Sequence, residues 1–393
     1  MTHHRLYLLA LALCAALAST AQAAVPKGPS GAKFYAPPAA KVHGKHGTLI
    51  WARRFKASLA PKGGTSWLVV YRSTSPAGKT VPVSGIVTLP DRKAPKAGWP
   101  VVSWAHGTTG IADVCAPSRL EVSGRTPTTY DTNLAAEQSH WVKEGYAVAQ
   151  TDYAGLGTAG AHPYLIGKSE GRSVIDIVSA ARGLSSKVGK RWVAIGHSQG
   201  GHATLWAAAL AATYAPGLKL AGALPLAPAS HIGEQAKLIN SIDGNPLGGL
   251  PAMIIAGGLD AAHVKPATAL SDKALALYPQ IEQVCLDKLS AQDSWGGLAL
   301  KDIFRSGYDT TPLINVLSAN DPEDLTVKVP LLIAQGASDT TVFPTYTDQT
   351  VSELQSHGTK VTYDKYDGID HGGVVQASRS DADMFIDTLL GGG

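Results

Sequence analysis

The chain has 393 residues, 45% hydrophobic and 16% charged, with a formal net charge of +4. That is enough apolar material for a large core. The charge is too small and too scattered for nucleic-acid binding, which needs a dense basic stripe, and past the first two dozen residues no run suggests a membrane span, which takes about 20 apolar residues.

Met1 to Arg5 is weakly basic, Leu6 to Leu17 is apolar, and Ala21-Gln22-Ala23 offers small residues for a signal peptidase. This pattern predicts a secretory signal peptide over 1–23, cleaved near Ala23. Cleavage removes Arg5 and no acid, leaving +3. Cys14 follows Leu13 inside the apolar run and does not suit a lipid anchor. Cys115 and Cys285 remain. In the oxidising compartment that secretion implies, whether periplasm or medium, an even pair suggests one disulfide, with two buried free thiols as the alternative.

Residues 24–47, rich in Pro, Ala, Gly and Lys, read as an arm lying on the surface or disordered at its start. His43 and His46 fall in its Gly-rich end and read as solvated. Ser66 to Arg72 and Val83 to Leu89 read as a hairpin turning over Ser73 to Lys79. The pattern then alternates. Trp99 to Ala105 is a strand, Asn133 to Glu144 a helix, Tyr146 to Thr151 a strand and Ser173 to Leu184 a helix. Arg191 to Ile195 is a strand followed by a helix from His202 to Ala215, and Leu220 to Leu226 is a strand. From Pro228 to about Leu325 the alternation stops, with helical stretches at 273–277 and 281–289. It resumes with Val329 to Ala334, a helix over 345–356, a strand over 361–366 and a helix over 380–390. The fold class is α/β, with a mostly parallel sheet covered by helices on both faces. The core spans 48–227 and 326–393, and 228–325 forms an inserted helical cap.

Gly196-His197-Ser198-Gln199-Gly200 lies where the 191–195 strand meets its helix. A serine between glycines at such a corner is the nucleophile-elbow pattern. Context decides, because Gly167-Lys168-Ser169-Glu170-Gly171 matches the same pattern without a preceding strand. Ser169 therefore reads as a helix-start serine. A serine hydroxyl needs a base and an orienting acid, and in this fold they follow in the order serine, acid, histidine. His371 lies past the last strand in Gly368-Ile369-Asp370-His371-Gly372-Gly373, where a base belongs. His357 reads as a helix C-terminus. Asp339 follows the strand ending at Ala334 and is the acid. Asp321 lies before that strand, on the wrong edge, and Asp367 and Asp370 read as loop contacts. Asp152 precedes the serine and reads as a loop holder. Two N–H donors must face the developing oxyanion. Gln199 supplies one; Thr108, with Thr109 as the alternative, supplies the other.

The chain resembles the secretory lipases of the α/β-hydrolase superfamily, the group that includes fungal lipase A. The resemblance rests on Phe34-Tyr35-Ala36-Pro37-Pro38, Gly47-Thr48-Leu49-Ile50, the Thr151-to-Gly157 stretch, Gly171-Arg172-Ser173-Val174, Gly196 to Gly200, Asp339 and His371. It implies an α/β-hydrolase fold, the triad Ser198, Asp339 and His371, and a Cys115–Cys285 disulfide joining the oxyanion region to the cap. Fungal members continue past the histidine into a flap, whereas here 22 residues follow His371. With only five Phe, an extensive aromatic lid is not expected, which shifts the expected substrate toward smaller soluble esters.

The reading is a secreted serine carboxylic-ester hydrolase acting on small-molecule or lipid esters. It uses no metal or organic cofactor and is most simply a monomer. A secreted serine peptidase of the same fold, or a binding protein on a hydrolase scaffold, are the alternatives.

Overall fold

The computed structural model describes residues 25–391, so the signal-peptide reading falls outside the described residues. Nine strands form one sheet in the order β1-β2-β3-β5-β4-β6-β7-β8-β9. They are β1 (Leu49–Arg54), β2 (Gly64–Thr74), β3 (Thr80–Pro90), β4 (Trp99–Ala105), β5 (Ala147–Thr151), β6 (Val188–His197), β7 (Lys219–Leu226), β8 (Leu331–Gly336) and β9 (Val361–Tyr366). β1, β2, β3 and β5 pair antiparallel. From β5 onward every pairing is parallel.

The parallel strands are continuous apolar runs because both faces are covered. Successive residues divide between the faces. Val101, Trp192, Ala194 and Ile333 pack in the core cluster of the Gly167–Leu184, Gln199–Tyr214 and Pro344–Ser356 helices. Val102, Val193, Ile195 and Leu332 pack with the Thr129–Glu144 and Arg379–Leu390 helices.

The structure adds to the predicted elements. β1 is not evident from the sequence. Its bulge between Leu49 and Trp51 breaks the alternation, and Arg53-Arg54 at its end do not read as a strand. The Thr129–Glu144 helix begins four residues earlier than predicted, at a capping box. Thr128 accepts from the Asp131 N–H, and Asp131 accepts from the Thr128 N–H, which satisfies two orphan donors at once. The N-terminal arm is not loosely laid on the surface. Phe34 and Tyr35 are buried, Trp51 Nε1 donates to the Phe34 carbonyl at 3.0 Å, and the Tyr35 hydroxyl donates to the Ser118 carbonyl at 2.7 Å. His46 is not simply solvated either. It bonds Asp176 Oδ1 through Nδ1 at 2.6 Å and stacks on Tyr214.

Between β7 and β8 the chain forms short helices with a core cluster of their own, built on Met253, Leu259, Ile281, Leu289, Trp295 and Ile303. The two longest helices here escape sequence reading, Leu250–Ala261 and Thr311–Ser318. The first is apolar on nearly every side and carries Gly257-Gly258, so it lacks the polar stripe that marks a surface helix. The predicted 281–289 helix is instead a 3₁₀ turn (Tyr278–Glu282) and a separate helical turn (Leu286–Leu289).

This segment is fastened to the core at several points. Cys115 and Cys285 are disulfide-bonded, which excludes the free-thiol alternative. The Leu286 N–H donates to the Thr109 carbonyl at 3.0 Å. Asp321 accepts from the backbone N–H groups of Ile232 (2.7 Å) and Gly233 (2.9 Å), tying the two ends of the segment together. Among the described residues, no helix is long and apolar enough to cross a membrane.

Candidate active site

β6 ends at His197 and the helix starts at Gln199, so Ser198 makes the whole corner. Its φ of 61° and ψ of −119° lie outside ordinary L-residue conformations, a strain of about 1–3 kcal/mol that the surroundings must hold. The Ser198 N–H donates to the Leu226 carbonyl at 2.9 Å, and the Ser198 carbonyl accepts from His202 and Ala229. The glycines of the motif are required by close approach. A Cβ on Gly196 would collide with the Gly200 carbonyl, and one on Gly200 would collide with that of Ala105. The end of β4 therefore lies directly against the first turn of the elbow helix.

The sheet's carboxyl edge also carries Asp339 and His371. Asp339 follows β8, and His371 follows β9. Their loops are stitched together by Ala337 N–H to the Tyr366 carbonyl and Ser338 N–H to the Ile369 carbonyl, both at 2.9 Å. His371 Nδ1 meets Asp339 Oδ2 at 2.7 Å. The other Asp339 oxygen accepts from the Thr341 and Val342 N–H groups at 2.8 and 2.9 Å, and Gln335 Nε2 adds a bond to Oδ2 at 3.0 Å. Burial alone would raise the Asp339 pKa. The bond and charge of His371 and the two backbone donors outweigh it, so the carboxyl lies below its ordinary range.

His197, beside Ser198, holds the His371 loop in place. Its Nε2 donates to the His371 carbonyl at 2.8 Å, and the two rings are 4.4 Å apart. Burial first, then the neighbouring His371, lowers the His197 pKa to about 3, so it stays neutral. Among the described residues no hydrogen bond joins Ser198 to His371. The Asp339–His371 pair is formed, and His371 is linked to His197, the residue before Ser198.

The Thr108 side chain bonds the Tyr164 hydroxyl at 2.6 Å. Its loop adjoins the elbow, since a Cβ added to Gly200 would lie 2.8 Å from the His106 carbonyl oxygen. Asp152 is fully buried and accepts from Ser84 and Ser118; burial raises its pKa to about 6. Asp321 serves the root of the inserted segment, and Asp370 accepts from Gly373 in its own loop. His357 caps the Pro344–Ser356 helix, and Ser169 lies in the first turn of the Gly167–Leu184 helix.

Sequence reasoning missed a buried polar cluster behind the elbow. Glu170, His202, His162 and the Gln199 side chain are together there, all nearly without solvent exposure. Nothing in the local sequence marks it, because its members come from two helices and a loop.

Ser198 opens into a cavity of about 430 Å³, within the size range of small-molecule sites. Its walls are mostly aliphatic, including Ile239, Leu250, Ile254 and Leu313 from the inserted segment and Val342 from the loop after β8, with Tyr164, Phe304, Phe343 and Tyr346 among the rest, and no charged residue among those described lines it. Among the described residues, no group of three or more His, Cys, Asp or Glu is placed to hold a metal ion.

Residues 126–380 match the family described as secretory lipase. The chain is 29% identical over 243 residues to a protein named probable inactive lipase from Mycobacterium tuberculosis, covering 58% of this chain and 51% of that one. It is 27% identical over 348 residues to lipase A of Moesziomyces aphidis, covering 82% and 68%. It thus spans about half the length of the first relative. The fold is similar to that of Candida antarctica lipase A in its closed state, with a TM-score of 0.72 at 20% identity over 91% of this chain and 85% of that one.

Proposed function

The chain belongs to the secretory lipase family, and from that premise we propose that it is a secreted carboxylic-ester hydrolase working through an acyl-serine intermediate. His371 Nε2 takes the Ser198 proton as Oγ attacks the ester carbonyl. The carbonyl π electrons move to oxygen, which the N–H groups of Gln199 and Thr108 receive. Collapse expels the alcohol, protonated by His371. Water, deprotonated by the same imidazole, then releases the carboxylic acid and restores Ser198. Asp339 keeps the Nδ1 proton in place and stabilises the imidazolium. The observation that supports the reading is the Asp339–His371 pair, bonded to His197, together with a strained Ser198 that lines a mainly apolar cavity.

In this reading residues 228–325 are the substrate-binding cap. Their aliphatic wall takes the acyl chain, and the alcohol faces the opening. Of the large exposed hydrophobics, Leu238 and Phe343 stand at that cavity. Two such residues make a small contact area for an oil surface, which favours dispersed esters. A peptidase that reads a substrate amine needs a carboxylate in its pocket, and the uncharged lining argues against it. Processing near Ala23 would deliver the mature chain to the oxidising side, where the disulfide forms.

The relative named inactive makes turnover the decisive measurement. Labelling by a fluorophosphonate and hydrolysis of a nitrophenyl ester series are expected for the wild type and lost in Ser198→Ala. Labelling that persists in the folded Ser198→Ala variant would refute the nucleophile assignment.

A further inference from the structure

The buried cluster behind the elbow has an arrangement of donors and acceptors that fixes its charge. His202 Nε2 faces the Asn320 carbonyl oxygen at 2.8 Å, and its Nδ1 faces Glu170 Oε2 at 3.0 Å. A ring whose two nitrogens both face acceptors carries both protons. His202 is thus the cation and Glu170 the anion of a pair cut off from water. Burial opposes both charges, but the mutual hydrogen bond and charge prevail, so the His202 pKa is raised and that of Glu170 lowered.

The second Glu170 oxygen accepts from the Leu165 N–H at 3.0 Å and from Gln199 Nε2 at 2.7 Å. The other N–H of that amide goes to His162 Nε2 at 2.9 Å, and His162 Nδ1 donates to the Ala154 carbonyl. Both side-chain donors of Gln199 are therefore committed to anchors on separate elements. Residue 199 directly follows the strained serine, and its backbone N–H belongs to the peptide that joins them. Fixing the side chain fixes the direction of that N–H.

We propose that Glu170, charge-paired with His202, is a positioning residue for the oxyanion hole: it clamps the Gln199 side chain and so aims the Gln199 backbone N–H. The clamp rests on the hydrolase reading above. It also reaches the cap. The Asn320 carbonyl accepts from both His202 and Trp206 Nε1, and the Asn320 side chain accepts from the Gly167 N–H. The cap's return to the core is thus hung on the same pair.

The test uses the full chain with Glu170→Gln, Gln199→Ala and the double variant. Glu170→Gln is isosteric but exchanges the charged acceptor of Gln199 Nε2 for a neutral one, about half as strong, and abolishes the charge pair with His202, which loosens the clamp. Gln199→Ala leaves the backbone N–H and the charge pair in place. Each single variant is expected to lower kcat on nitrophenyl butyrate by about 10- to 100-fold, the scale of a misplaced catalytic group, with KM within about threefold. Affinity for a trifluoromethyl ketone, whose adduct carries the oxyanion, should fall in parallel. The double variant should be no worse than the poorer single variant, because both act through one clamp. Losses that multiply, or a folded Glu170→Gln with wild-type kcat, overturn the proposal. If Glu170→Gln does not fold, wild-type kcat in Gln199→Ala overturns it instead. A wild type that neither hydrolyses esters nor takes a fluorophosphonate overturns the hydrolase reading, and this inference with it.

Discussion

Replacing Asp339 by Asn keeps the size of the side chain and changes one thing, the direction of a proton. Two backbone N–H groups, from Thr341 and Val342, hold one carboxylate oxygen. The new amide must therefore put its carbonyl oxygen there and turn its NH₂ toward His371 and Gln335. Gln335 cannot rotate to accept from it. Its Nε2 already donates to the Gly336 and Val342 carbonyls, and its Oε1 accepts from Thr347. His371 Nδ1 must then become an acceptor, which moves its proton to Nε2, and Nε2 can no longer take the serine proton. The expected loss in kcat is about 10⁴-fold at neutral pH, or roughly 5 kcal/mol of transition-state stabilisation. The substituted amide and Gln335 then point donors at each other, which costs about 1–3 kcal/mol of stability. Turnover of nitrophenyl butyrate, with circular dichroism to confirm folding, is the assay. A folded variant within tenfold of wild-type kcat would refute the tautomer argument. The stability difference has a defined pH dependence. The folded pKa of Asp339 lies below the ordinary 3.8. Its ionised form therefore contributes stability above that ordinary value, and the contribution disappears as pH falls through the folded value. The gap between wild type and variant in urea denaturation should narrow under acid. A gap that widens would contradict the sign.

Two further outcomes follow from the same geometry. Replacing Cys115 and Cys285 by Ser removes a link across a sequence separation of 170, and the chain-entropy model puts the loss at up to about 5 kcal/mol; a urea midpoint unchanged by the double replacement would contradict it. Ile254→Trp narrows the apolar cavity from the cap side and should move the preferred acyl chain to shorter lengths while leaving acetyl ester turnover within about twofold. An unshifted chain-length profile in a nitrophenyl ester series would remove the cavity as the acyl site.

The elbow could be read from the sequence because its physics is local: a strand, a corner that excludes Cβ atoms, a helix. Asp339 and His371 were findable because the alternation of strands and helices puts both loops on one edge. What the sequence did not disclose depends on distant partners. Glu170 looks like an ordinary acid in a first helical turn until His202, Gln199 and His162 close around it. His46, in a Gly-rich loop, has no visible partner until Asp176 arrives from a helix 130 residues away. His197 reads as a filler of the serine motif until β9's loop brings the His371 carbonyl to it. The Leu250–Ala261 helix is hard to see because its Gly257 packs against backbone, where a Cβ would stand 2.6 Å from the Tyr164 carbonyl oxygen.

The bond between Cys115 and Cys285 has a mechanical consequence. The helical insert is riveted beside the loop after β4 on one flank and moored by Asn320 on the other, so it cannot swing away like a door. On the proposed hydrolase reading, an ester enters by local give past Leu238 and Phe343, the large exposed apolar residues at the cavity. Guest size is then governed by how far those few side chains can part.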